Sequence, residues 1–137
     1  MSNIIIKEKK KVFTNGCFDI IHRGHIELLK YCKSFGYVTV GLNSDKSVSR
    51  LKGDNRPINS ENDRKFVLES CKYVDEVIIF GEDTPIDLIK LVNPDIIIKG
   101  GDYKKEEVIG YGLHEIRIFK FLDGRSTTEI IKNISNR

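Results

Sequence analysis

Residues 12–25 read VFTNGCFDIIHRGH and contain the pattern that decides the fold of this 137-residue chain. Residues 12–18 are typical of a buried strand with a break at Asn15-Gly16, and residues 22–25 are typical of the first turn of a helix. The free backbone N–H groups and the dipole of a helix N-terminus both attract anions. A strand, a glycine turn and a helix start in this order therefore predict an anion-binding site.

The two histidines of this turn are spaced for a shared ligand. His22 and His25 are three residues apart, so both imidazoles lie on the same side of a helical first turn. Gly24 between them has no side chain and leaves room for a phosphate to approach the backbone. Two imidazole donors on one phosphate suit phosphoryl or nucleotidyl transfer, because charge builds on the non-bridging oxygens in the transition state.

Other interpretations of this turn have less support. A single histidine is more often a surface or core residue than a ligand. A zinc site at His22 and His25 needs a third ligand, whereas His114 is distant in sequence and no cysteine has a suitable spacing. The GxGxxG and GxxxxGK[ST] patterns are absent, which argues against a dinucleotide-dependent oxidoreductase and a P-loop kinase.

The rest of the chain alternates between strand and helix periodicity. The predicted strands are residues 12–18, 37–42, 76–80, 95–99 and 115–119. Short connections between alternating strands and helices predict a parallel sheet sandwiched between helices. Ligands bind at the carboxyl ends of the strands in such sheets, so function is expected in the loops after residues 18, 42, 99 and 119.

Local signals predict where the helices begin and end. The expected boundaries are Gly36 as a left-handed C-terminal cap, Ser60 as an N-cap, Thr84-Pro85 as a cap with proline at the first helical position, Asn93-Pro94 as a stop, and Ser126 with Glu129 as a capping box. The helix after Ser60 is expected to bury Phe66, Val67, Ser70 and Cys71. Residues 43–57 are expected to form a polar loop.

Length and composition exclude several classes of protein. At this length the chain fits one domain, with residues 1–10 as a flexible tail and residues 11–137 as the domain. No apolar run reaches the roughly 18 residues of a membrane span. A net charge of +3 is too small for a nucleic-acid-binding surface. Cys17, Cys32 and Cys71 lack CxxC spacing, which indicates free thiols and a cytoplasmic protein.

Residues 15–19, NGCFD, followed by His22-Arg23-Gly24-His25, resemble the HxGH signature of the nucleotidyltransferase superfamily in its cytidylyltransferase-like branch. From about Val12 onward the chain looks like the D-glycero-D-manno-heptose-1-phosphate adenylyltransferases. The matches that carry this resemblance are Asn43-Ser44-Asp45, Arg50-Leu51-Lys52-Gly53, Arg56-Pro57-Ile58-Asn59, Asp63-Arg64, Val74-Asp75, Gly81-Glu82-Asp83-Thr84-Pro85, Lys99-Gly100-Gly101-Asp102-Tyr103 and Gly124-Arg125-Ser126-Thr127-Thr128. The resemblance implies a Rossmann-like three-layer α/β/α fold of the HUP, or nucleotidyltransferase, type with a five-stranded parallel sheet.

The resemblance also implies a reaction. AMP would be transferred from ATP to D-glycero-D-manno-heptose 1-phosphate, giving ADP-heptose and pyrophosphate for bacterial surface polysaccharide and lipopolysaccharide. Mg²⁺ is expected on the triphosphate, with Asp102 as its candidate neighbour and no other metal ligand from the protein. A homodimer is expected, together with a separate sugar kinase that supplies the 1-phosphate. No nucleic acid or membrane partner is expected.

The same resemblance assigns the site residues. The expected catalytic residues are His22, His25, Lys52 on a mobile loop, and Arg125. The expected nucleotide-binding residues are Thr14, Asn15, Gly16, Cys17, Phe18, Gly24, Gly100, Asp102, Ser126, Thr127 and Thr128. The expected substrate-binding residues are Asp19, Arg56 and Arg64.

Several of these residues also have ordinary structural interpretations. Asp19 fits an Asx-turn, Arg64 and Lys52 fit solvated surface residues, and Ser126 fits a helix cap without a ligand. Cys17 fits a small packing residue, since the reaction needs no thiol nucleophile.

Three alternative functions stay open at this point. A glycerol-3-phosphate cytidylyltransferase that uses CTP carries the same HxGH signature and a similar serine-threonine motif. An archaeal-type FAD synthetase is a second alternative within the superfamily. A non-catalytic nucleotide-binding module is the third, and the intact histidine pair argues against it.

Overall fold

The computed structural model describes residues 9–121 and 127–136. In these residues the elements follow in the order β1 (Lys10–Gly16), α1 (Arg23–Lys33), β2 (Gly36–Asn43), α2 (Asp45–Lys52), α3 (Glu61–Glu69), β3 (Glu76–Phe80), α4 (Ile86–Val92), β4 (Ile96–Gly100), a 3-10 turn (Lys105–Glu107), β5 (Glu115–Phe119) and α5 (Thr127–Ser135). No helix among the described residues has the length and apolar character needed to cross a bilayer.

The described strands form one parallel sheet of five strands in the order β3-β2-β1-β4-β5. In the middle of the sheet, Val12 of β1 pairs with Val38 of β2 on one side and with Ile96 of β4 on the other. The chain winds outward from β1 to β3 and then returns to place β4 beside β1. The winding direction therefore reverses between β1 and β4, which is where such sheets bind ligands.

Two apolar clusters cover the two faces of the sheet. Val12, Ile96 and Ile98 belong to the cluster that includes Leu28 of α1 and Leu68 of α3. Phe13 and Ile97 belong to the cluster that includes Leu88 of α4 and Val108. Successive strand residues point to opposite faces, so this alternation is the expected result of a sheet buried on both sides. The predicted three-layer α/β/α arrangement is confirmed.

Most predicted strand positions are confirmed, and two helix predictions are confirmed as well. The predicted strands at 76–80 and 115–119 coincide with β3 and β5. Ser60 is the N-cap of α3, and its side chain accepts a hydrogen bond from the backbone N–H of Asp63. Asn93 ends α4 in a left-handed conformation with φ of 47°. Ser126, the predicted cap of α5, lies outside the described residues.

The predicted polar loop at residues 43–57 is wrong in its first half. Residues Asp45–Lys52 form α2, which begins at the N-cap Ser44. The side chain of Ser44 accepts a hydrogen bond from the backbone N–H of Ser47, which stabilises the first turn. Lys52 therefore ends a helix, and the prediction of a mobile loop at this residue is wrong.

The predicted core face of α3 is also wrong, except at Cys71, which packs against the core. Phe66 and Val67 are 72% and 49% exposed, whereas Arg64 and Leu68 are buried. Apolar periodicity misplaced the face because the residue that anchors this helix is an arginine with hydrogen-bonded partners inside the protein.

Two further boundaries differ from the predictions. Gly36 does not cap α1, because the helix ends at Lys33 and Gly36 begins β2. A Cβ atom at Gly36 would lie 2.1 Å from the carbonyl oxygen of Lys10, so close packing of β1 and β2 requires the glycine. Pro85 is the N-cap of α4 rather than its first helical residue.

Candidate active site

A cleft of about 630 Å³ lies at the carboxyl ends of the strands, around the point between β1 and β4 where the winding reverses. Most of the predicted site residues line it. From the early part of the chain these are Asn15, Gly16, Cys17, Phe18, Asp19, His22 and His25. From the later parts they are Lys52, Arg56, Gly100, Thr127 and Thr128.

His22 and His25 cap the beginning of α1 with their own side chains. Nδ1 of His22 accepts a hydrogen bond from the backbone N–H of Gly24 at 3.0 Å. Nδ1 of His25 accepts one from the backbone N–H of His22 at 3.2 Å. The centroids of the two rings are 3.9 Å apart. The pair is therefore fixed by the helix that it caps, a role that sequence spacing did not reveal.

These caps fix the tautomer of both rings, and burial keeps the rings neutral. Because each Nδ1 accepts a hydrogen bond, the neutral ring carries its proton on Nε2. Burial lowers the pKa of His22, and burial together with the nearby His22 lowers the pKa of His25 to about 3. Near pH 7 both imidazoles are therefore neutral, and each has an Nε2–H group available as a hydrogen-bond donor.

Phe18 holds a strained conformation where β1 leads into this turn. Its φ of 46° lies in the left-handed region, which costs a non-glycine residue on the order of 1 kcal/mol. The ring is only 4% exposed, and its centroid is 5.1 Å from that of His25. Burial of the aromatic ring offsets the strain, so Phe18 supports the histidine pair from behind.

Asp19 fixes the segment that carries Arg56. Its carboxylate accepts hydrogen bonds of 2.9–3.0 Å from the backbone N–H groups of Ile58 and Asn59 and from Nε of Arg56. Burial by itself raises the pKa of Asp19, but the hydrogen bonds from Asn59, Ile58 and Arg56 outweigh it and lower the pKa below its usual value. Asp19 is thus an ionised anchor between the turn after β1 and residues 56–59.

Arg64 lies beneath the cleft and does not line it. Its guanidinium donates to the carbonyl oxygens of Asn59, Cys17 and Asn43 and to Oδ1 of Asp45, at 2.8–2.9 Å. The residue is 1% exposed. This placement contradicts both the predicted contact with substrate and the alternative of a solvated helix residue. Arg64 instead joins the ends of β1 and β2 to the start of α3.

Cys17 lines the cleft as a neutral thiol. Burial raises the pKa of Cys17, although the positive charges of Lys52, Arg64 and Arg56 each lower it. The thiol therefore stays protonated near pH 7, which agrees with the interpretation of a small packing residue. Lys52 reaches the same part of the cleft from the end of α2.

The beginning of α5 lies beside the turn after β1. The hydroxyl of Thr127 donates a hydrogen bond of 3.0 Å to the carbonyl oxygen of Ile20. Thr127 and Thr128 line the same cleft as His22 and His25. Arg125 and Ser126, which were predicted to act here, lie outside the described residues.

Besides Arg64, three predicted residues lie away from the cleft lining. Thr14 is fully buried in β1, and its hydroxyl has no hydrogen-bond partner among the described residues. Gly24 is buried in α1, and its backbone N–H is already bonded to His22. Asp102 is exposed beyond the end of β4. The predicted contacts of these three residues with the nucleotide are not supported by their placement.

The cleft also contains residues that the sequence did not single out for a role. Lys99, the penultimate residue of β4, lines it together with Phe80, Tyr103, Glu107 and Val108. A lysine at the carboxyl end of an otherwise apolar strand was the available signal. The described residues contain no cluster of three or more His, Cys, Asp or Glu side chains arranged to hold a metal ion.

Comparisons with known proteins agree with this geometry. A family model described as cytidylyltransferase-like matches residues 13–135. The bifunctional protein HldE of a Nitratiruptor species is 55% identical over 128 residues, and the bifunctional protein HldE of Helicobacter pylori is 55% identical over 129 residues. These matches cover 92% and 93% of the chain but 28% of each relative. The chain thus spans little more than a quarter of the length of these curated relatives.

Solved structures share the fold. The lipopolysaccharide core biosynthesis protein from Thermoplasma volcanium superposes with a TM-score of 0.69 at 30% identity, over 82% of this chain and 96% of that one. Pantothenate synthetase from Thermus thermophilus superposes with a TM-score of 0.59 at 15% identity, over 86% of this chain and 58% of that one, which supports the fold alone. The HUP-type fold is thereby confirmed, and the chain belongs to the cytidylyltransferase-like family.

Proposed function

We propose that this chain transfers AMP from ATP to D-glycero-D-manno-heptose 1-phosphate, with ADP-heptose and pyrophosphate as products. The observation that carries the proposal is the single cleft lined both by the early histidine pair and by Thr127 and Thr128 at the start of α5. Sequence identity with the bifunctional HldE proteins and with a lipopolysaccharide core biosynthesis protein supports a function of this chain in the synthesis of this sugar nucleotide.

The phosphates of ATP would bind between the two helix starts. The Nε2–H groups of His22 and His25 would donate to oxygens of the α-phosphate. The hydroxyl of Thr128 and the backbone N–H groups at the start of α5 would donate to the β- and γ-phosphates, while the hydroxyl of Thr127 keeps its hydrogen bond to Ile20. Lys52 and Arg56 supply positive charge at the cleft. We keep Arg125 and Ser126 in this proposal because they directly precede α5 in the sequence.

The chemistry needs no general base. A phosphomonoester has its second pKa near 6, so the acceptor phosphate is already a dianion at pH 7. One of its oxygens forms a bond to the α-phosphorus while the bond from that phosphorus to the bridging oxygen of pyrophosphate breaks. The protein then has to align two anions and stabilise the charge of the transition state. Neutral N–H donors are suited to this task because they stabilise charge without themselves transferring a proton.

Mg²⁺ would enter with the nucleotide and neutralise charge on the triphosphate. Both carboxylate oxygens of Asp19 already accept hydrogen bonds, so this residue does not fit as a metal ligand. Asp102 is exposed and outside the cleft lining, which removes the support for a metal near it. We therefore propose phosphate oxygens and water as the ligands of the metal.

The cellular setting is part of the proposal. We propose a cytoplasmic homodimer that receives its 1-phosphate from a sugar kinase. The free thiols of Cys17, Cys32 and Cys71 support a reducing compartment. Sedimentation analysis of the purified chain tests the dimer, and a monomer at micromolar concentration would contradict it.

A glycerol-3-phosphate cytidylyltransferase activity is the second candidate, since the matching family model is described as cytidylyltransferase-like. One assay separates the two. The chain is incubated with Mg²⁺, each nucleoside triphosphate and a panel of sugar and polyol phosphates, and pyrophosphate release is measured. We expect the highest kcat/KM for ATP with the heptose 1-phosphate. Turnover with CTP and glycerol 3-phosphate alone would establish the second candidate instead, and no turnover with any pair would contradict both.

A further inference from the structure

Lys99 brings a positive charge into the cleft from the face of the sheet opposite α1. Along β4, Ile97 packs in the cluster with α4 and Val108, and Lys99 two residues later points to the same face. Gly100 points to the other face, because a Cβ atom there would lie 3.2 Å from a methyl group of Leu28 in α1. Lys99 and the histidine pair therefore reach one cleft from opposite faces.

The ammonium group of Lys99 is partly buried and lacks an acidic partner. In residues 9–121 and 127–136, no carboxylate forms an ion pair or hydrogen bond with its Nζ. Its Nζ is 5.3 Å from the centroid of the Tyr103 ring, which gives only a weak cation–π contact. Buried charges in proteins are normally paired, so an unpaired one that lines a cleft indicates a place for an anionic ligand.

The surroundings of Lys99 strengthen this argument. Burial lowers the pKa of Lys99, and the positive charge of Lys52 lowers it further. The interaction with Lys52 means that two like charges share this part of the cleft. An anion bound between them would relieve their repulsion and stabilise the charged form of Lys99.

The geometry of the reaction decides which anion this is. In a displacement at phosphorus, the attacking and leaving oxygens lie on opposite sides of the phosphorus atom. If the histidines on the α1 side hold the triphosphate, an acceptor phosphate that attacks in line comes from the opposite side of the α-phosphorus. Lys99 is a cleft-lining cation on the side of the sheet opposite α1.

We propose that Lys99 binds the phosphate group of the acceptor and, with Lys52, forms a clamp that is selective for phosphomonoesters. The inference rests on the proposed function for the identity of the reaction. Tyr103 and Val108, which line the same cleft, would then contact the carbon skeleton of the acceptor, and Glu107 would accept hydrogen bonds from its hydroxyl groups.

The test uses Lys99→Met, which keeps the length and apolar stem of the side chain and removes the charge. Lys99→Arg keeps the charge, and Lys90→Met removes a charge from the exposed surface of α4 as a matched control. Because a desolvated charge is lost, we expect Lys99→Met to have an unchanged or higher Tm. A large decrease in Tm would indicate a structural role and contradict the inference.

Binding is measured by calorimetry on the full chain, with α,β-methylene-ATP, with the heptose 1-phosphate and with glycerol 3-phosphate. We expect Lys99→Met to weaken binding of the phosphomonoester that the wild type prefers at least tenfold, while affinity for α,β-methylene-ATP changes less than threefold. Lys99→Arg should recover part of the loss, and Lys90→Met should change neither ligand. An equal or larger effect on the ATP analogue contradicts the inference, as does failure of the wild type to bind either phosphomonoester.

Kinetics separates this inference from the proposed function. If the wild type releases pyrophosphate, we expect a higher KM for the acceptor in Lys99→Met and an unchanged KM for the nucleotide. Normal turnover with an unchanged acceptor KM would support the function and overturn the clamp. Binding of a phosphomonoester that depends on Lys99, without pyrophosphate release from any pair, would support the clamp and contradict the function.

Discussion

The hydroxyl of Thr127 donates a hydrogen bond of 3.0 Å to the carbonyl oxygen of Ile20, although 107 positions separate the two residues. Ile20 lies in the turn after β1, and Thr127 is the first residue of α5. This contact joins the beginning of the last helix to the segment that carries the histidine pair. Two distant parts of the chain are thereby held at the same cleft.

Removing this contact should weaken nucleotide binding. A hydrogen bond of this kind contributes about 1 kcal/mol, so Thr127→Val should raise the KM for ATP about fivefold. Thr127→Ser keeps the hydroxyl and should behave like the wild type. The measurement is a steady-state titration with ATP at saturating acceptor. An unchanged KM in Thr127→Val would show that the contact does not contribute to the site.

His22→Asn should separate the donor role of this residue from its role as a helix cap. The side-chain oxygen of asparagine is a good N-cap acceptor and can replace Nδ1, whereas the Nε2–H donor is lost. We expect the free energy of unfolding to change by less than about 1 kcal/mol and kcat to fall about a hundredfold or more. His114→Asn, outside the cleft lining, is the control and should keep its kcat. Near-normal turnover in His22→Asn would contradict the proposed role of the imidazole.

Asp19→Asn should loosen the segment of residues 56–59. The neutral amide cannot accept from two backbone N–H groups and Arg56 as the carboxylate does, so we expect a loss of about 1–3 kcal/mol in the free energy of unfolding. Asp83→Asn breaks an exposed ion pair with Arg50 and should cost less than about 1 kcal/mol. Urea unfolding of both variants checks this, and equal losses would argue against Asp19 as an anchor.

Arg64→Lys should destabilise the fold more strongly than any other substitution considered. A lysine cannot reproduce donation to three carbonyl oxygens and Asp45, and breaking a buried charged network typically costs about 3–5 kcal/mol. Arg50→Lys, at an exposed ion pair, is the matched control and should lose less than about 1 kcal/mol. A stable Arg64→Lys chain with a selective rise in substrate KM would instead favour direct contact with substrate.

The histidine pair should make stability depend on pH between neutral and mildly acidic conditions. Because the pKa of His25 is lowered to about 3 from 6.5, the unfolded chain takes up a proton below pH 6.5 that the folded chain does not. The contribution of His25 to the free energy of unfolding is therefore fully present above pH 6.5 and is lost as the pH falls toward 3. Each such proton lowers the free energy of unfolding by up to about 1.4 kcal/mol per pH unit.

The lowered pKa of His22 acts in the same direction. Urea unfolding between pH 7 and 5, above the range in which carboxylates titrate, measures this slope. His25→Asn should reduce this slope by more than the control substitution His114→Asn does. A slope that is identical in the wild type and His25→Asn would contradict the pKa assigned to this imidazole.

The sequence alone determined the succession of elements and the first half of the site. Alternating periodicity predicted the strands of the sheet, because burial on both faces leaves continuous apolar runs such as residues 96–98. The spacing of His22 and His25 placed both rings on one helical turn, because the helix period is a local property. These predictions needed no information about distant contacts.

Only the tertiary structure decided the roles of Arg64, Lys52 and Lys99. An arginine in a helix is predicted to be a surface residue until its buried partners are known. Here the partners include the carbonyl oxygens of Cys17, just after β1, and Asn43, at the end of β2. The role of Lys99 follows only from the folded structure. There the residue lines a cleft and has no acidic partner among the described residues. Local sequence specifies backbone periodicity, whereas the burial and pairing of a charge depend on residues that only folding brings together.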